Sequence, residues 1–154
     1  MERVRITASA EETERLGEDL ARDLRSGDVV ALVGELGAGK TTFVKGLARG
    51  LFVREDVISP SFLLARTYEG TLPLHHLDLY RLGGAGEMAE AGLLTYLPPE
   101  EGVTVVEWAD RALAVLPSTA ILVKFEHLGN NRRKITVRGP RRSPPRRPRT
   151  TPRE

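Results

Sequence analysis

A glycine-rich segment that ends in lysine and threonine is the part of the sequence whose residue types and spacing point most directly to chemistry. Gly34-Glu35-Leu36-Gly37-Ala38-Gly39-Lys40-Thr41 matches the G-x-x-x-x-G-K-[ST] pattern of a phosphate-binding loop (P-loop). Its glycines let backbone N–H groups turn toward one anion, and a helix starting at Lys40 would add its N-terminal donors. Lys40 should reach the β- and γ-phosphates and Thr41 should bind Mg²⁺. The segment therefore predicts binding of a magnesium nucleoside triphosphate.

Two acidic residues follow short apolar runs and are candidates for the rest of the magnesium site. Asp78 ends the run Leu74–Leu77, and Glu107 ends Val103–Val106. A P-loop enzyme needs an acid at the end of another strand to complete this site. We expect both carboxylates to face the cleft, with Asp78 on the metal or its water shell and Glu107 on Mg²⁺ or the attacking water. Which acid is the direct ligand stays open. Lys40, Asp78 and Glu107 are thus the predicted catalytic residues.

Two histidines precede Asp78, and a pair of histidines can indicate a metal site. His75 and His76 are adjacent in a predicted strand, so their side chains should point to opposite faces of the sheet. The pair is therefore not expected to chelate a metal jointly, and one imidazole should lie buried beside the cleft.

Missing residue types narrow the chemistry further. Asparagine occurs only at positions 130 and 131, so the Asn-Lys-x-Asp motif that reads guanine is absent and ATP is favoured over GTP. The chain has no glutamine, so no glutamine orients an attacking water and hydrolysis should be slow unless a partner completes the site. It also has no cysteine, which excludes thiol catalysis and disulfides.

The elements that must position these residues alternate between strands and helices. The unbroken apolar run Val29–Val33 is typical of a strand buried on both faces in a parallel sheet. Ser9 and Glu12 have the spacing of a capping box that opens a helix. The pattern predicts an α/β fold, a P-loop NTPase-like three-layer sandwich with a mixed, mostly parallel sheet and a C-terminal antiparallel hairpin. The hairpin is expected to add antiparallel strands at one edge of the sheet. Further predicted elements are strands at Val4–Thr7, Leu72–Tyr80, Val103–Val106, Ile121–Leu128 and Arg133–Val137, and helices from Ser9 to Leu24, at Lys40–Leu51 and at Glu87–Tyr96.

The 154 residues fit one domain, and their charge is unevenly distributed. Residues 138–154 contain seven arginines and five prolines, a composition typical of disorder. We therefore predict a P-loop ATPase domain over 1–137 and an Arg/Pro-rich disordered tail over 138–154. The tail is either a contact for RNA phosphates or a dispensable solvated extension. No apolar run approaches the roughly 18 residues of a membrane span, so we expect a cytoplasmic protein without a membrane partner.

The order of four motifs resembles the TsaE (YjeE-type) family, the P-loop ATPases of bacterial tRNA threonylcarbamoyladenosine synthesis. The resemblance covers about residues 4–137. It departs from the usual family pattern at Ser61, where threonine is common, and at Ala109, where proline is common. The motifs that carry it are the P-loop continued by Thr42-Phe43, then Ser59-Pro60-Ser61-Phe62, His76-Leu77-Asp78-Leu79-Tyr80-Arg81 and Glu107-Trp108.

The resemblance implies a ligand, an activity and partners. It implies binding of Mg-ATP, weak intrinsic ATP hydrolysis and action on TsaD and TsaB, which transfer the threonylcarbamoyl group to adenosine in tRNA. The metal contacts would come from Thr41, Asp78 and Glu107. Nucleotide contacts would come from Leu36, Gly37, Ala38, Gly39, Lys40, Thr41 and Thr42, from Ser61 near the γ-phosphate, and from Ala10, Trp108 and Arg133.

Two other functions fit the same P-loop. One is a P-loop kinase for a small metabolite, although such enzymes usually supply several arginines from a lid and the arginines here cluster in the tail. The other is a nucleotide-gated interaction protein without significant hydrolysis, which would differ from an ATPase mainly in rate.

Overall fold

A computed structural model describes residues 2–34, 39–58 and 64–139. Seven strands form one sheet, and helices cover both of its faces. The strands are β1 (Glu2–Thr7), β2 (Val29–Gly34), β3 (Ala65–Tyr68), β4 (Leu74–Asp78), β5 (Val103–Glu107), β6 (Ile121–Gly129) and β7 (Arg132–Arg138). The helices are α1 (Ala10–Ala21), α2 (Lys40–Gly50) and α3 (Ala85–Glu90), with 3₁₀ helices at Leu93–Tyr96 and Ala109–Val115.

The sheet has the order β1-β7-β6-β2-β5-β4-β3, and its four central strands are parallel. The α/β prediction is confirmed. The C-terminal hairpin is also present, because β6 and β7 are antiparallel, but its predicted place as an antiparallel addition at the edge is wrong in one respect. β6 pairs in parallel with β2, and β1 rather than the hairpin forms that edge.

β7 ends at Arg138, one residue beyond the predicted domain end, and residues 140–154 lie outside the described part of the chain.

Apolar side chains fill the space on both faces of the sheet, which makes the predicted three-layer sandwich. On one face, Phe43 and Leu47 of α2 pack with Leu20 of α1 against the strands. On the other face, Met88 of α3 and Leu93 of the first 3₁₀ helix form a second cluster. Because β2 contributes residues to both clusters, its continuous apolar run reflects burial on two sides.

Glycines bring α1 and α2 into close backbone contact, which fixes the position of α2 relative to α1. A Cβ atom on Gly17 would collide with the carbonyl oxygen of Phe43, and one on Gly46 with that of Glu14. The predicted capping box at the start of α1 is present in part: Ser9 Oγ accepts from Glu12 N at 3.1 Å, whereas Glu12 Oε1 accepts from the N–H of Ala8, one residue before the N-cap, at 2.7 Å. The helix pair therefore holds the residues that follow Gly39 against the sheet.

Gly46→Ala is expected to destabilise the fold, because its Cβ has no room unless α1 moves away from α2. Overpacking of this kind costs about 1–3 kcal/mol, which a urea titration would detect as a lower midpoint. Gly86→Ala is the matched control, since a Cβ there meets no atom within 4 Å. Equal unfolding midpoints for the two variants would contradict a tight α1–α2 contact.

The predicted helix over Glu87–Tyr96 is wrong as a single element. The structure divides it into α3 and a 3₁₀ helix, because Gly92 between them has a φ of 76°, a left-handed conformation that interrupts helical hydrogen bonding. Trp108 also has a positive φ, 60°, and the unpredicted 3₁₀ helix Ala109–Val115 follows it. The predicted hairpin turn is tight, with Asn130 and Asn131 at φ 51° and 63°.

Both edge strands of the sheet carry ion pairs. On β1, Arg3 pairs with Asp23 at 3.9 Å, and Glu2 pairs with Arg138 of β7 at 2.6 Å. The Arg138 guanidinium, by its hydrogen bond and its charge, lowers the pKa of the exposed Glu2 carboxyl. The opposite edge, β3, has four residues, and its Arg66 lies 3.8 Å from Glu55. Within the described ranges, no helix is long and apolar enough to cross a membrane.

Candidate functional site

The residues of the predicted site meet where the parallel strands end. Glu107, the last residue of β5, lies in register with Leu32 of β2 and with Asp78, the last residue of β4. Gly39 precedes α2 with a φ of 99° and directs Lys40 and Thr41 toward the same edge. The carboxyl edge of a parallel sheet is where α/β proteins bind ligands. The fold therefore brings together the lysine, the threonine and the two acids.

Lys40 is buried at the centre of this edge. Only 5% of its surface is exposed, and Nζ donates a hydrogen bond to the carbonyl oxygen of Gly34 at 2.7 Å. Nζ also lies 3.5 Å from the ring centroid of Trp108, which is cation–π geometry. Loss of hydration on burial lowers the pKa of Lys40. Three carboxylates oppose that shift, those of Glu107, Asp110 and Asp78.

Glu107 connects three elements through its two carboxylate oxygens. Thr41 Oγ1, in the first turn of α2, donates to Oε1 at 3.3 Å, and His76 Nε2, on β4, lies 2.6 Å from Oε2. The side chain is 5% exposed. Burying a carboxylate costs free energy unless it is hydrogen-bonded, and these two partners stabilise it. One oxygen therefore points toward the threonine of the P-loop pattern.

Asp78 lies beside Glu107 and is also buried. Its Oδ1 accepts a hydrogen bond from the backbone N–H of Tyr80 at 3.0 Å, which fixes the turn after β4. Its charge acts on Lys40. The two acids therefore lie side by side at one edge of the sheet.

Trp108 contacts Lys40 and a second aromatic ring. The centroid of the Tyr80 ring lies 5.0 Å from that of Trp108 at an interplanar angle of 51°, and the guanidinium of Arg111 lies 5.8 Å from the Tyr80 ring. Trp108 is half-buried and Tyr80 is exposed. The indole ring therefore covers the lysine, so a ligand that moved Lys40 would change the surroundings of the only tryptophan.

Arg133 of β7 reaches the end of the glycine-rich segment. A Cβ atom on Gly39 would lie 3.2 Å from Arg133 Cδ and Nε and 3.6 Å from Thr13 Cγ2. Arg133 Nη1 donates to the carbonyl oxygen of Asn131 at 3.2 Å, whereas Nε is buried and has no hydrogen-bond partner in the described part of the chain. Ala10 lies exposed at the start of α1, one turn before Thr13.

Four predicted contact residues, Leu36, Gly37, Ala38 and Ser61, lie outside the described residues. Thr42 is half-buried in the first turn of α2. The sequence prediction placed one imidazole beside the cleft without saying which, and it named neither His76 nor Asp110 as a site residue. Period-2 alternation could have identified His76, because residues 76 and 78 must lie on the same face of β4. No comparable signal pointed to Asp110, which follows the positive φ of Trp108.

The donor set suits magnesium and a polyphosphate. The hydroxyl of Thr41 and the carboxylates of Glu107 and Asp78 are hard oxygen ligands of the kind that Mg²⁺ prefers. Over 2–34, 39–58 and 64–139, no group of three or more His, Asp or Glu side chains forms a metal site. Mg²⁺ usually takes one or two carboxylates together with substrate phosphates. Lys40 supplies a positive charge close to the two carboxylates, and the unpartnered Nε of Arg133 lies against Gly39.

Comparisons with known proteins identify relatives over most of the chain. The model of a family described as "Threonylcarbamoyl adenosine biosynthesis protein TsaE" matches residues 7–135. The chain is 40% identical over 132 residues to the tRNA threonylcarbamoyladenosine biosynthesis protein TsaE of Treponema pallidum, which covers 86% of this chain and 97% of that protein. The protein of the same name from Bacillus subtilis is 40% identical over 131 residues, with coverages of 84% and 81%.

A solved structure shares the fold. The crystal structure of YdiB from Bacillus subtilis matches with a TM-score of 0.73 and 35% sequence identity, covering 89% of this chain and 84% of that chain. The two proteins therefore share their fold over most of their length.

Proposed function

This chain belongs to the TsaE family of threonylcarbamoyl adenosine biosynthesis proteins, and we propose that within that pathway it is an ATPase that binds Mg-ATP and acts on a complex of TsaD and TsaB. The observation that carries the proposal is that Lys40 and Thr41, the last two residues of the P-loop pattern, lie with Glu107 at the carboxyl edge of the sheet. A nucleoside triphosphate needs such a cation, hydroxyl and acid at one point.

Each group has a definite role in the proposal. Backbone N–H groups of residues 36–41 hold the phosphates, and Lys40 exchanges the Gly34 carbonyl for β- and γ-phosphate oxygens. Thr41 and Glu107 would hold Mg²⁺, with Asp78 on the metal or its water shell. Bound Mg²⁺ would neutralise charge that develops on the phosphates. Arg133 lies against Gly39 and offers an unpartnered N–H to the nucleotide, and Ser61 acts near the γ-phosphate.

Hydrolysis by the chain alone is expected to be slow. Glutamine, which orients the attacking water in some P-loop enzymes, is absent from the sequence. Glu107 Oε2 is already engaged by His76 at 2.6 Å, so this oxygen is not free to act as a base on water. A partner that supplied a missing group would raise the rate, which fits an ATPase whose turnover occurs on TsaD and TsaB.

Phosphate release measured with and without purified TsaD, TsaB and tRNA tests the proposal. We expect a low rate for the chain alone and at least tenfold stimulation by the complete mixture. Transfer of phosphate to a small-molecule acceptor would instead identify a metabolite kinase. ATP binding without hydrolysis in any mixture would support a nucleotide-gated interaction protein.

A further inference from the structure

His76 is a buried histidine whose imidazole contacts the carboxylate of Glu107. The ring has no exposed surface, and Nε2 lies 2.6 Å from Glu107 Oε2. The neighbouring His75 is bonded elsewhere, to Thr67 Oγ1 and the carbonyl oxygen of Glu101. Since a carboxylate only accepts hydrogen bonds, we assign the shared proton to Nε2, which donates.

The other ring nitrogen shows that His76 is not simply a core residue whose hydrogen bonds are all satisfied. Nδ1 of His76 is buried and has no hydrogen-bond partner in the described ranges. Buried polar groups are rarely left unpaired, and replacing a buried polar pair by apolar groups of the same shape is often nearly neutral for stability. The one interaction that a histidine provides here and an apolar residue does not is the hydrogen bond to Glu107.

We propose that His76 is a positioning residue that orients Glu107 toward the metal. Because Oε2 is held by His76, the carboxylate directs Oε1 toward Thr41 Oγ1, 3.3 Å away. These are the two oxygens that would bind Mg²⁺. The inference rests on the proposed function, since it needs a metal ion that Thr41 and Glu107 would hold. Loss of an outer partner that orients a ligand typically changes metal affinity or activity 10–100-fold.

Binding of Mn²⁺, used as a paramagnetic substitute for Mg²⁺, tests the inference without measuring turnover. Free Mn²⁺ is followed by electron paramagnetic resonance during titration of the full chain with ATP present. We expect His76→Leu to weaken Mn²⁺ binding about tenfold or more. His76→Gln, whose amide nitrogen replaces Nε2, should stay within about threefold. ATP affinity measured in a metal chelator should be the same for all three chains, because His76 does not contact the P-loop lysine.

Two further variants separate positioning from folding. His76→Asn keeps a polar side chain but is too short to reach Glu107, so it should behave like His76→Leu even if the leucine variant folds poorly. In a Glu107→Gln background, His76→Leu should change Mn²⁺ affinity by less than about twofold, because a residue acting through Glu107 has nothing left to orient.

The outcomes distinguish this inference from the proposed function. Unchanged Mn²⁺ affinity in His76→Leu and His76→Asn, or a tenfold loss that persists in the Glu107→Gln background, overturns the role of His76 alone. If the unsubstituted chain shows no ATP-dependent Mn²⁺ binding, the proposed function fails and this inference fails with it.

Discussion

Lys40→Ala should reduce the affinity for Mg-ATP by about a hundredfold or more. A hydrogen bond to a charged group contributes about 1.5–3 kcal/mol, and Lys40 is placed to reach two phosphates. Each 1.4 kcal/mol changes Kd about tenfold. The variant also leaves three carboxylates, those of Glu107, Asp110 and Asp78, without the cation they surround, which further repels an anionic ligand.

Calorimetric titration is the appropriate measurement for this variant. We expect Trp108 fluorescence to report ligand binding in the unsubstituted chain. Because Nζ of Lys40 lies 3.5 Å from the indole, however, the baseline emission of Lys40→Ala should shift even without ligand. Lys45→Ala is the matched control, since Lys45 is exposed on the same helix, and it should bind within about twofold of the unsubstituted chain. Undiminished Mg-ATP affinity in Lys40→Ala would remove the basis of the proposed site.

Glu107→Gln should weaken the effect of magnesium strongly while leaving metal-free ATP binding in place. The amide keeps the shape and one acceptor oxygen but removes the charge that would bind Mg²⁺. Metal stabilisation of transition-state charge is worth several kcal/mol, so partner-stimulated phosphate release should fall about a hundredfold or more. ATP affinity measured in the presence of a metal chelator should stay the same or rise, because the substitution removes a negative charge near the phosphates.

Phosphate release and ATP binding should both be measured with and without Mg²⁺. Glu90→Gln, an exposed glutamate on α3, is the control and should leave both quantities unchanged. Full stimulation of phosphate release in Glu107→Gln would show that Glu107 is not a metal ligand. If the variant lost hydrolysis yet still supported tRNA modification, the nucleotide-gated alternative would be preferred.

Local patterns were sufficient for the parts of the fold that depend on burial and capping. The apolar run after position 28 predicted a central parallel strand, and β2 pairs in parallel on both sides. Ser9 and Glu12 predicted the start of α1. The strand-end acids, Asp78 and Glu107, came together because parallel strands end at the same edge.

Features that depend on non-local pairing could not be read from the sequence. The short connection between β6 and β7 predicts that these two strands are antiparallel. It does not predict that β6 pairs in parallel with β2. The contact between His76 and Glu107 depends on the register of β4 with β5. The position of Lys40 on Trp108 depends on a tryptophan with a φ of 60°, which no residue preference predicts, since bulky residues rarely adopt it.

The charged borders of the sheet have a consequence for how molecules of this protein associate. An uncovered strand can template pairing with another chain, and natural proteins discourage this with short strands and charged side chains. Strand β1 offers Glu2, Arg3 and Arg5 along its length, and β3 is only four residues long. Adding a further strand at either border would bring these charges against a new neighbour. We therefore expect that this protein does not form fibrils by adding strands to its sheet. We expect it to bind partners through its side chains and not through the backbone of an edge strand.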